Sequence, residues 1–557
     1  MSKKGDYNLM IALMALIMVQ ASCSDYLDRN PQTDTNLEYN QVFTDPHLAS
    51  GFLNNAYRQL PDGFSRLGNA LLASGCDEAE HSDAGSQIHL FNSNAVSPSY
   101  NPDDVWNAMY AGIRKCNIFL KELDGLIAES NSIPVADRPN YRGQALFLRA
   151  FFHFELLKRY QNIIYVDTVI NPFNEEEVYS FRQIDFHDAV DLIAADCDSA
   201  SNLLPAKITD KAQLGRPSKA APMALKLRMF LYAASPLNNP SNDKTLWEKT
   251  EQAAKEIYDA RSQLGVGLES NYGGVFTTPY NSEVIFATSA ENRNDIETAN
   301  YPVSYQGQGL TNPSQNLVDA YAMSSTSYAT SMNGYDAQTP YVNREDRFYA
   351  TVLPNVAIFK EAPVETFVGG KDGLFSTPTA TKTGYYMRKF LTPAINLEKN
   401  ETARRCWILY RYAEVILNYA EARNEALDNP NDKTLHDLLN LIRNRAKLRP
   451  FRNANEYIKD KDEMRAYIKH ERQIELAMEE HRFWDLRRWR DAETVLNRPL
   501  QGMRIGKNDD GSFSYEPFTV ENRIFDTKFY WYPIPRAEIL KYRSKGIELK
   551  QNTGYDN

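Results

Sequence analysis

The chain has 557 residues, of which 43% are hydrophobic, 24% charged and 12% aromatic. This composition excludes an intrinsically disordered chain, a collagen and a membrane-embedded helical bundle. The formal net charge of −10 argues against general nucleic-acid binding, because such binding uses clustered cations to neutralise phosphates. The 33 Tyr, 26 Phe and 6 Trp exceed the needs of a core, so we expect some of them to form a ligand-binding surface, as in a sugar-binding protein.

The N-terminus has the layout of a secretory signal. Lys3 and Lys4 provide a short positive start, and an unbroken apolar run follows at 9–19. The run is far shorter than the ~20 residues that a membrane-spanning helix needs. Small residues then lead directly to Cys23, which resembles a bacterial lipobox, in which the cysteine receives lipid and becomes the first mature residue. The alternative is ordinary cleavage near Ser22, which would leave Cys23 inert.

Most of the remaining chain has helical periodicity. Tyr412, Ala413 and Ile416 illustrate how small and large residues share one face, which lets stacked helical hairpins interlock. Cys116 and Cys197 fall within this periodicity, where a free cysteine behaves as a small core hydrophobe. The predicted helices span residues 43–60, 103–126, 141–160, 186–204, 218–235, 246–261, 409–427, 434–447 and 461–489.

Two long stretches interrupt the helical pattern. Residues 61–102 are rich in Gly, Ser, Asn and Asp, and residues 265–404 contain a strand-like run at 283–287 followed by many Tyr, Asn, Gly and Pro. Long irregular segments inside a compact protein are commonly either functional loops or disordered. The density of aromatic residues favours ordered functional loops.

Ten short blocks together resemble one family. They include Asn312-Pro-Ser-Gln-Asn-Leu-Val-Asp-Ala-Tyr321 and His481-Arg-Phe-Trp-Asp-Leu-Arg-Arg-Trp489. Because all ten occur in family order, the chain resembles the SusD-like (RagB) family of outer-membrane nutrient-binding lipoproteins of Bacteroidetes. In chain order the blocks lie at 23–28, 145–154, 215–236, 312–321, 343–349, 412–421, 442–446, 471–477, 481–489 and 532–540.

The resemblance implies a mostly α fold. The expected architecture is a right-handed superhelix of about four tetratricopeptide-like helix pairs, with a loop-rich variable excursion that bears short strands. The implied organisation is a lipoprotein signal peptide at 1–22, an N-terminal SusD-like helical region at 23–264, the excursion at 265–404 and a C-terminal SusD-like helical region at 405–557.

The resemblance also implies a function. The protein would work beside a SusC-like TonB-dependent transporter as a lid that captures an oligomer, commonly a glycan, and hands it down for import. Lipid chains on Cys23 would anchor it stably in the outer membrane. Ser24, Asp25 and Asp28 resemble the acidic tract that directs such lipoproteins to the cell exterior, although a solvated linker is the alternative.

The resemblance places the ligand site in the loop ahead of the helix containing Trp106 and in the stretch after the strand at 283–287. Glycan capture uses aromatic faces for the apolar side of a sugar ring, and amide, carboxylate or Arg groups for its hydroxyls. The alternative for each candidate is ordinary loop packing. The predicted ligand-binding residues are Phe91, Asn92, Asn94, Tyr100, Asn292, Arg293, Tyr301, Tyr305 and Gln306.

No cofactor is expected, with one feature left open. The acidic cluster Asp77-Glu78-Ala-Glu80-His81-Ser-Asp83 offers hard oxygen ligands for Ca²⁺, but it lacks the regular spacing of an EF-hand loop. The alternatives are a solvated acidic loop or a set of acceptors for ligand hydroxyls.

Recognisable catalytic motifs are missing from the sequence. His470-Glu471-Arg-Gln-Ile474 has Ile where a zinc-protease helix needs its second His. We therefore expect a binding protein rather than an enzyme. A glycoside hydrolase stays open as an alternative because its carboxylate pair leaves no local motif. Capture of peptides by the same lid mechanism is the other alternative, and the abundance of Tyr and Asn over Lys and Arg in the excursion favours a neutral glycan.

Overall fold

The computed structural model describes residues 38–324, 334–450 and 458–555. The predicted signal peptide at 1–22 and the predicted lipidation site Cys23 lie outside the described residues. Within the described ranges, nine helices have twelve or more residues: α1 Pro46–Tyr57, α2 Trp106–Asp124, α3 Arg138–Tyr160, α4 Phe186–Leu203, α5 Ala220–Ala234, α6 Lys244–Leu264, α7 Tyr412–Ala426, α8 Lys433–Arg445 and α9 Lys461–Glu475.

Shorter helices connect or flank these nine. In the part of the chain that the structure describes they are Tyr39–Thr44, His89–Asn92, Leu126–Glu129, Glu175–Val178, Gly274–Thr277, Asp295–Asn300, Gln315–Ala320, Asp346–Thr351, His481–Arg488, Ala492–Val495 and Arg536–Ser544.

The long helices stack in chain order. Each of α1 to α6 packs on the next, and α7 packs on α6 although the excursion at 265–404 separates them in sequence. Both α8 and α9 then pack on α7. In α3, every residue from 143 to 160 is buried, and the charged side chains among them are paired, as Arg159 is with Glu155 at 2.7 Å. The structure confirms the predicted mostly α fold.

Aspartates fix where several helices begin. The side chains of Asp45, Asp185, Asp243, Asp432 and Asp460 accept backbone N–H groups of the first turn, which would otherwise lack partners. The helix predicted over 43–60 is interrupted at Asp45, because this residue is extended and caps α1 at Pro46.

The helix predicted over 461–489 is wrong as a single element. It ends at Glu475, and Met478 and Glu480 both have positive φ values before the next helix starts at His481. Side chains from elsewhere satisfy the carbonyl groups that this break frees. Arg411 donates to the Glu475 carbonyl at 2.7 Å, and Lys389 Nζ donates to the Ala477 carbonyl at 2.7 Å.

The strands are short and form two-stranded antiparallel sheets. Pairing of β4 (Val284–Ala287) with β12 (Ile408–Arg411) and of β5 (Glu291–Arg293) with β11 (Ala403–Arg405) brings the start of the excursion beside its end. Gly265, in a left-handed conformation, ends α6 just before the excursion. The described strands are β1 Ala79–His81, β2 Ile163–Ile164, β3 Gln183–Ile184, β4 Val284–Ala287, β5 Glu291–Arg293, β6 Thr311–Pro313, β7 Val352–Leu353, β8 Ile358–Phe359, β9 Ala362–Pro363, β10 Tyr386–Met387, β11 Ala403–Arg405, β12 Ile408–Arg411, β13 Leu500–Lys507 and β14 Phe513–Glu521.

A buried ionic network joins the helices to the excursion. Glu475 of α9 pairs with Arg347 at 3.1 Å, with Arg411 at 2.8 Å and with Arg445. Glu283, just before β4, pairs with Arg411 at 2.6 Å and with Arg445 at 3.0 Å. Burial alone would raise the pKa of Glu475, but the three guanidinium groups hold that pKa far below its usual value. Glu475 therefore stays charged inside the protein.

The four cysteines of the described residues are buried and unpaired: Cys76, Cys116, Cys197 and Cys406. Cys116 and Cys197 lie in α2 and α4 and are fully buried, as their helical periodicity predicts. Burial raises the pKa of both thiols, so they act as small apolar side chains of the core.

Candidate functional site

An open groove of about 630 Å³ lies where the excursion meets the β13–β14 hairpin. We call it the aromatic groove. One wall comes from residues 338–349, a second from the connection 354–358 between β7 and β8, and a third from the hairpin. The side chains that give it its character are Tyr341, Tyr349, Asn355, Arg388, Phe513 and Tyr515.

Ring contacts hold the aromatic wall in place. Tyr341 and Tyr515 meet edge to face, with ring centroids 5.5 Å apart and planes at 88°. The Tyr341 hydroxyl lies 3.1 Å from the hydroxyl of Tyr385, and the Tyr349 hydroxyl donates to the Tyr341 carbonyl at 2.6 Å. Phe513 packs on Phe367 at 5.6 Å. These anchored rings offer a rigid apolar surface of the kind that stacks on flat ligands.

Polar groups interrupt this apolar surface at a few points. Asn355 is 2% exposed, and its Oδ1 accepts from the Thr366 N–H at 3.1 Å, whereas its Nδ2 has no hydrogen-bond partner. Arg388 donates to the carbonyls of Tyr349 and Ile358 at 3.4 and 2.9 Å. A buried amide donor left without a partner is costly unless a ligand or water satisfies it. Arg388 is half-buried, so the groove offers its guanidinium donors beside aromatic faces.

Val356 adds local strain to the same wall. It has a φ of 58°, a left-handed conformation that is a genuine outlier for a β-branched residue. Its N–H donates to the Val364 carbonyl at 2.8 Å, and its side chain is 48% exposed in the groove. Conformations of this kind concentrate at ligand sites, where the surrounding structure holds them.

The first predicted segment lies outside the aromatic groove. Phe91 is buried against Phe483 and Tyr532, with ring centroids 5.5 and 5.7 Å apart, and Asn92 is buried with its Nδ2 donating to the Ser74 carbonyl at 3.0 Å. A ligand cannot reach either side chain in this structure, so their assignment to the site is corrected to core packing. Asn94 is half-buried with a φ of 59°, and Tyr100 is exposed.

The second predicted segment packs behind the β8–β9 hairpin. Tyr301 is fully buried, packs on Phe359 at 5.0 Å and donates to the Thr392 carbonyl, so it belongs to the core rather than to a ligand site. Tyr305 is half-buried, contacts Phe359 at 5.2 Å and donates to the Ala362 carbonyl at 3.0 Å.

The polar members of the second segment have partners within the protein. Arg293 pairs with Asp62 and Asp295. Gln306 is exposed and donates to Glu398, and Asn292 is exposed on β5. Among the described residues, no hydrogen bond, ion pair or ring contact joins Phe91, Asn92, Asn94 or Tyr100 to the candidates of the second segment, although Asp62 of the same loop pairs with Arg293. The structure therefore does not assemble the nine predicted residues into one site.

The acidic cluster does not converge on a single point. Asp77 pairs with Arg482 at 2.8 Å, Glu80 pairs with Arg523 at 2.7 Å, and Asp83 accepts from the Gly85 N–H. Glu78 is fully buried and accepts from the Met478 N–H at 3.2 Å. Burial and the neighbouring Asp77 raise the pKa of Glu78 to about 8. Each of these carboxyl groups therefore accepts a hydrogen bond from a group of the protein itself.

One group of potential metal ligands comes together near β1. Glu80, His89 and Glu521 place one ligand atom each within 4.8 Å of one another. Arg523 already pairs with Glu80 and with Glu521, both at 2.7 Å. Because this guanidinium neutralises both carboxylates, the cluster is poorly suited to a cation.

The sequence held only partial signals for the aromatic groove. Tyr349 ends the block 343–349, and Phe513 and Tyr515 alternate with polar residues as in a half-exposed strand. Asn355 and Arg388 stand in no motif. Their role arises only because folding brings them beside a hairpin more than a hundred residues away in sequence.

Within the described part of the chain, none of the helices combines the length and apolar character needed to cross a membrane. Two family models match the sequence. Residues 268–555 match the model described as the SusD family, and residues 25–231 match a model described as starch-binding and associating with the outer membrane.

Similar proteins cover most of the chain. SusD-like protein P38 of Formosa agariphila is 22% identical over 427 residues, which are 74% of this chain and 77% of that protein. The crystal structure of a SusD-like protein from Bacteroides fragilis is 26% identical, with a TM-score of 0.75 over 95% of this chain and 100% of the other. A SusD-like carbohydrate-binding protein from the same species is 23% identical, with a TM-score of 0.73 over 89% and 98%.

Proposed function

This chain belongs to the SusD family, and on that premise we propose that it captures glycan oligomers in the aromatic groove and delivers them to a SusC-like TonB-dependent transporter. The observation that carries the proposal is the groove itself, in which anchored aromatic rings stand beside the donors of the Arg388 guanidinium. Aromatic faces bind the apolar side of a sugar ring, and such donors bind its hydroxyls. A similar protein described as carbohydrate-binding supports this choice of ligand.

The composition of the groove supports capture rather than catalysis. Glycoside hydrolysis needs two carboxyl groups flanking the bond that is cleaved. Among the described residues that line the groove, none is Asp or Glu. A sugar bound there would meet no acid–base pair, so we propose that the protein is not an enzyme.

The membrane attachment rests on the sequence. We propose that Cys23 carries the lipid and that the chain faces the cell exterior from the outer membrane, in line with the matching model that is described as associating with that membrane. Replacing Cys23 by Ala should abolish incorporation of labelled fatty acid, and unchanged labelling would contradict lipid attachment at this residue.

The capture step is tested by calorimetry on the full chain in mild detergent, with a panel of glycans and peptides. The Tyr515→Ala variant should weaken binding of a glycan about tenfold, because it removes an aromatic anchor that makes no side-chain hydrogen bond among the described contacts. Tyr100→Ala is the matched control, since Tyr100 is an exposed tyrosine outside the groove, and it should change affinity less than twofold.

Other outcomes would redirect the proposal. A loss of affinity for Tyr100→Ala alone would place the site in the first predicted segment. Binding of peptides but not glycans would contradict the ligand class, and release of new reducing ends would contradict the absence of catalysis. For the delivery step, the protein purified from its native membrane should bring down a TonB-dependent transporter, and its absence at native expression would contradict that step.

A further inference from the structure

Arg388 is the only charged side chain among the described residues that line the aromatic groove. It follows β10 directly, and its backbone N–H donates to the Thr351 carbonyl at 2.8 Å, which fixes its position. Within the described residues no carboxylate lies within ion-pair distance of its guanidinium group, which contacts only the carbonyls of Tyr349 and Ile358. Among the residues that the structure describes, none supplies a counter-ion to this cation in the groove.

Some N–H donors of the Arg388 guanidinium make no hydrogen bond among the described residues. Arginine carries five N–H donors in a planar fork, and two hydrogen bonds to carbonyls leave three of them free. A fork of this shape matches the two oxygens of a carboxylate or the oxygens of a sulfate. The carbonyl contacts hold the group in place, so little side-chain freedom is lost when an anion binds.

An anion beside Arg388 would stabilise the charged form of its guanidinium group. Partial burial lowers the pKa of Arg388, and no neighbouring acidic group opposes that shift. The buried arginines of the ionic network behave differently, since Arg347 and Arg411 each pair with at least two glutamates. An anion supplied by a ligand would take the place that these glutamates fill in the network.

We propose, on the basis of the proposed function, that the glycan bound by the aromatic groove is acidic and that its carboxylate or sulfate binds Arg388. The acidic group of a sugar projects from the edge of its ring, so one ring can stack on the aromatic wall while its anion meets the guanidinium. This ligand differs from the neutral glycan that the composition of the excursion predicts.

The net charge of the chain limits how such a ligand is recognised. At −10, the protein repels polyanions at long range, so attraction must come from short-range contacts inside the groove. Recognition by a single fork also explains how an acidic protein selects an acidic sugar without a basic surface. The same reasoning predicts one anchored acidic residue per bound oligomer.

The experiment uses the full chain in mild detergent and matched pairs of oligosaccharides. One pair is oligogalacturonate and its carboxyl-reduced form, and another is unsulfated chondroitin and its carboxyl-reduced form. A third pair is carrageenan oligosaccharide and its desulfated form. We expect at least one acidic member to bind about tenfold more tightly than its neutral counterpart, and its identity separates a carboxylate from a sulfate ligand.

Two variants and salt then test the role of Arg388. Arg388→Gln should abolish the preference for the acidic member, so that the acidic and neutral members of a pair bind with affinities within about twofold of each other. Arg388→Lys keeps the charge but loses the fork, so it should retain part of the preference and guards against a folding defect in the first variant. In the unmodified chain, raising NaCl from 50 to 300 mM should weaken only the acidic member.

The outcomes separate this inference from the proposed function. If neutral members bind as tightly as acidic ones, and Tyr515→Ala still weakens them, the acidic ligand is wrong and glycan capture stands. A preference that survives in Arg388→Gln would overturn the role of Arg388. If no oligosaccharide of the panel binds, or only peptides do, both the inference and the proposed function fail.

Discussion

The buried network around α9 and the aromatic groove treat charge in opposite ways. In the network, Glu475 and Glu283 neutralise Arg347, Arg411 and Arg445 inside the protein. In the groove, the partners of Arg388 among the described residues are backbone carbonyls alone. Charges that are paired internally fix the position of helices and excursion, whereas an unpaired charge on an open surface is free to select a ligand.

The buried helix α3 and the stretch around the aromatic groove also differ in how much apolar surface they expose. In α3, the side chains from 143 to 160 are all buried. Between residues 342 and 375, by contrast, many large apolar side chains reach solvent, which is typical of a binding surface rather than of a packing surface. The exposed apolar residues of this stretch are Val342, Tyr349, Val356, Ile358, Val368 and Phe375.

The strongest test of the comparison breaks the network. Glu475→Ala should lower the free energy of unfolding by about 3–5 kcal/mol, because it leaves buried guanidinium groups without a counter-ion. Urea denaturation followed by circular dichroism measures this loss. Asp437→Ala, which removes an exposed partner of Lys433, is the control and should not shift the midpoint beyond experimental scatter. Equal effects of both variants would contradict a special role for burial.

A second test concerns a buried carboxyl that lies outside the network. The pKa of Glu78 is raised to about 8 by burial and by Asp77, so the folded state keeps its proton while the unfolded state loses it above about pH 4.5. The free energy of unfolding therefore falls as the pH rises from about 5 to 8, by roughly 4 kcal/mol for this difference in pKa between the folded and unfolded states. Glu78→Gln should flatten that part of the profile in urea denaturation, and an unchanged slope would contradict the assignment.

A third test gives the groove the internal counter-ion that the network has. Asn355→Asp keeps the acceptor for the Thr366 N–H and adds a negative charge in the same groove as Arg388. We expect binding of an acidic oligosaccharide to weaken about tenfold or more, because like charges repel and the amide donor is lost. Calorimetry measures the change. Glu365→Gln, at a carboxylate outside the groove lining, is the control and should leave affinity unchanged.

The smallest expected effect comes from the strained wall. Val356→Gly should raise the free energy of unfolding by roughly 0.5 kcal/mol, since relief of the left-handed conformation slightly outweighs the added freedom of the unfolded chain. Thermal unfolding measures the gain. Val342→Gly, at an exposed site without positive φ, should instead destabilise the protein, and a loss in both variants would show that Val356 is not strained.

The sequence predicts the helices well because their signal is local. Repeating small and large apolar residues and capping aspartates lie within each helix, so the bounds of α3 to α5 come within about three residues of their predicted positions. The break after Glu475 could not be seen, because it depends on Arg411 and Lys389, which belong to other elements.

The site is harder to predict because its evidence is not local. Tyr301 resembles a surface tyrosine in sequence, yet its ring packs on Phe359 and its hydroxyl finds the Thr392 carbonyl inside the protein. Tyr515 becomes a ligand-binding candidate only because the hairpin returns to Tyr341. Which aromatic residues face solvent is decided by such distant partners, and no short motif records them.

The pairing of β4 with β12, together with the packing of α6 on α7, has a consequence for how this protein can change. The excursion leaves the helical stack and returns to it at nearly the same place, so its length adds little to the entropy of closing the loop. Insertions, deletions or transplanted loops in its exposed parts, away from the buried contacts of Glu283, Arg347 and Lys389, can alter ligand preference while the helices keep their packing. Those exposed parts are the natural place for evolution or an engineer to install a new specificity.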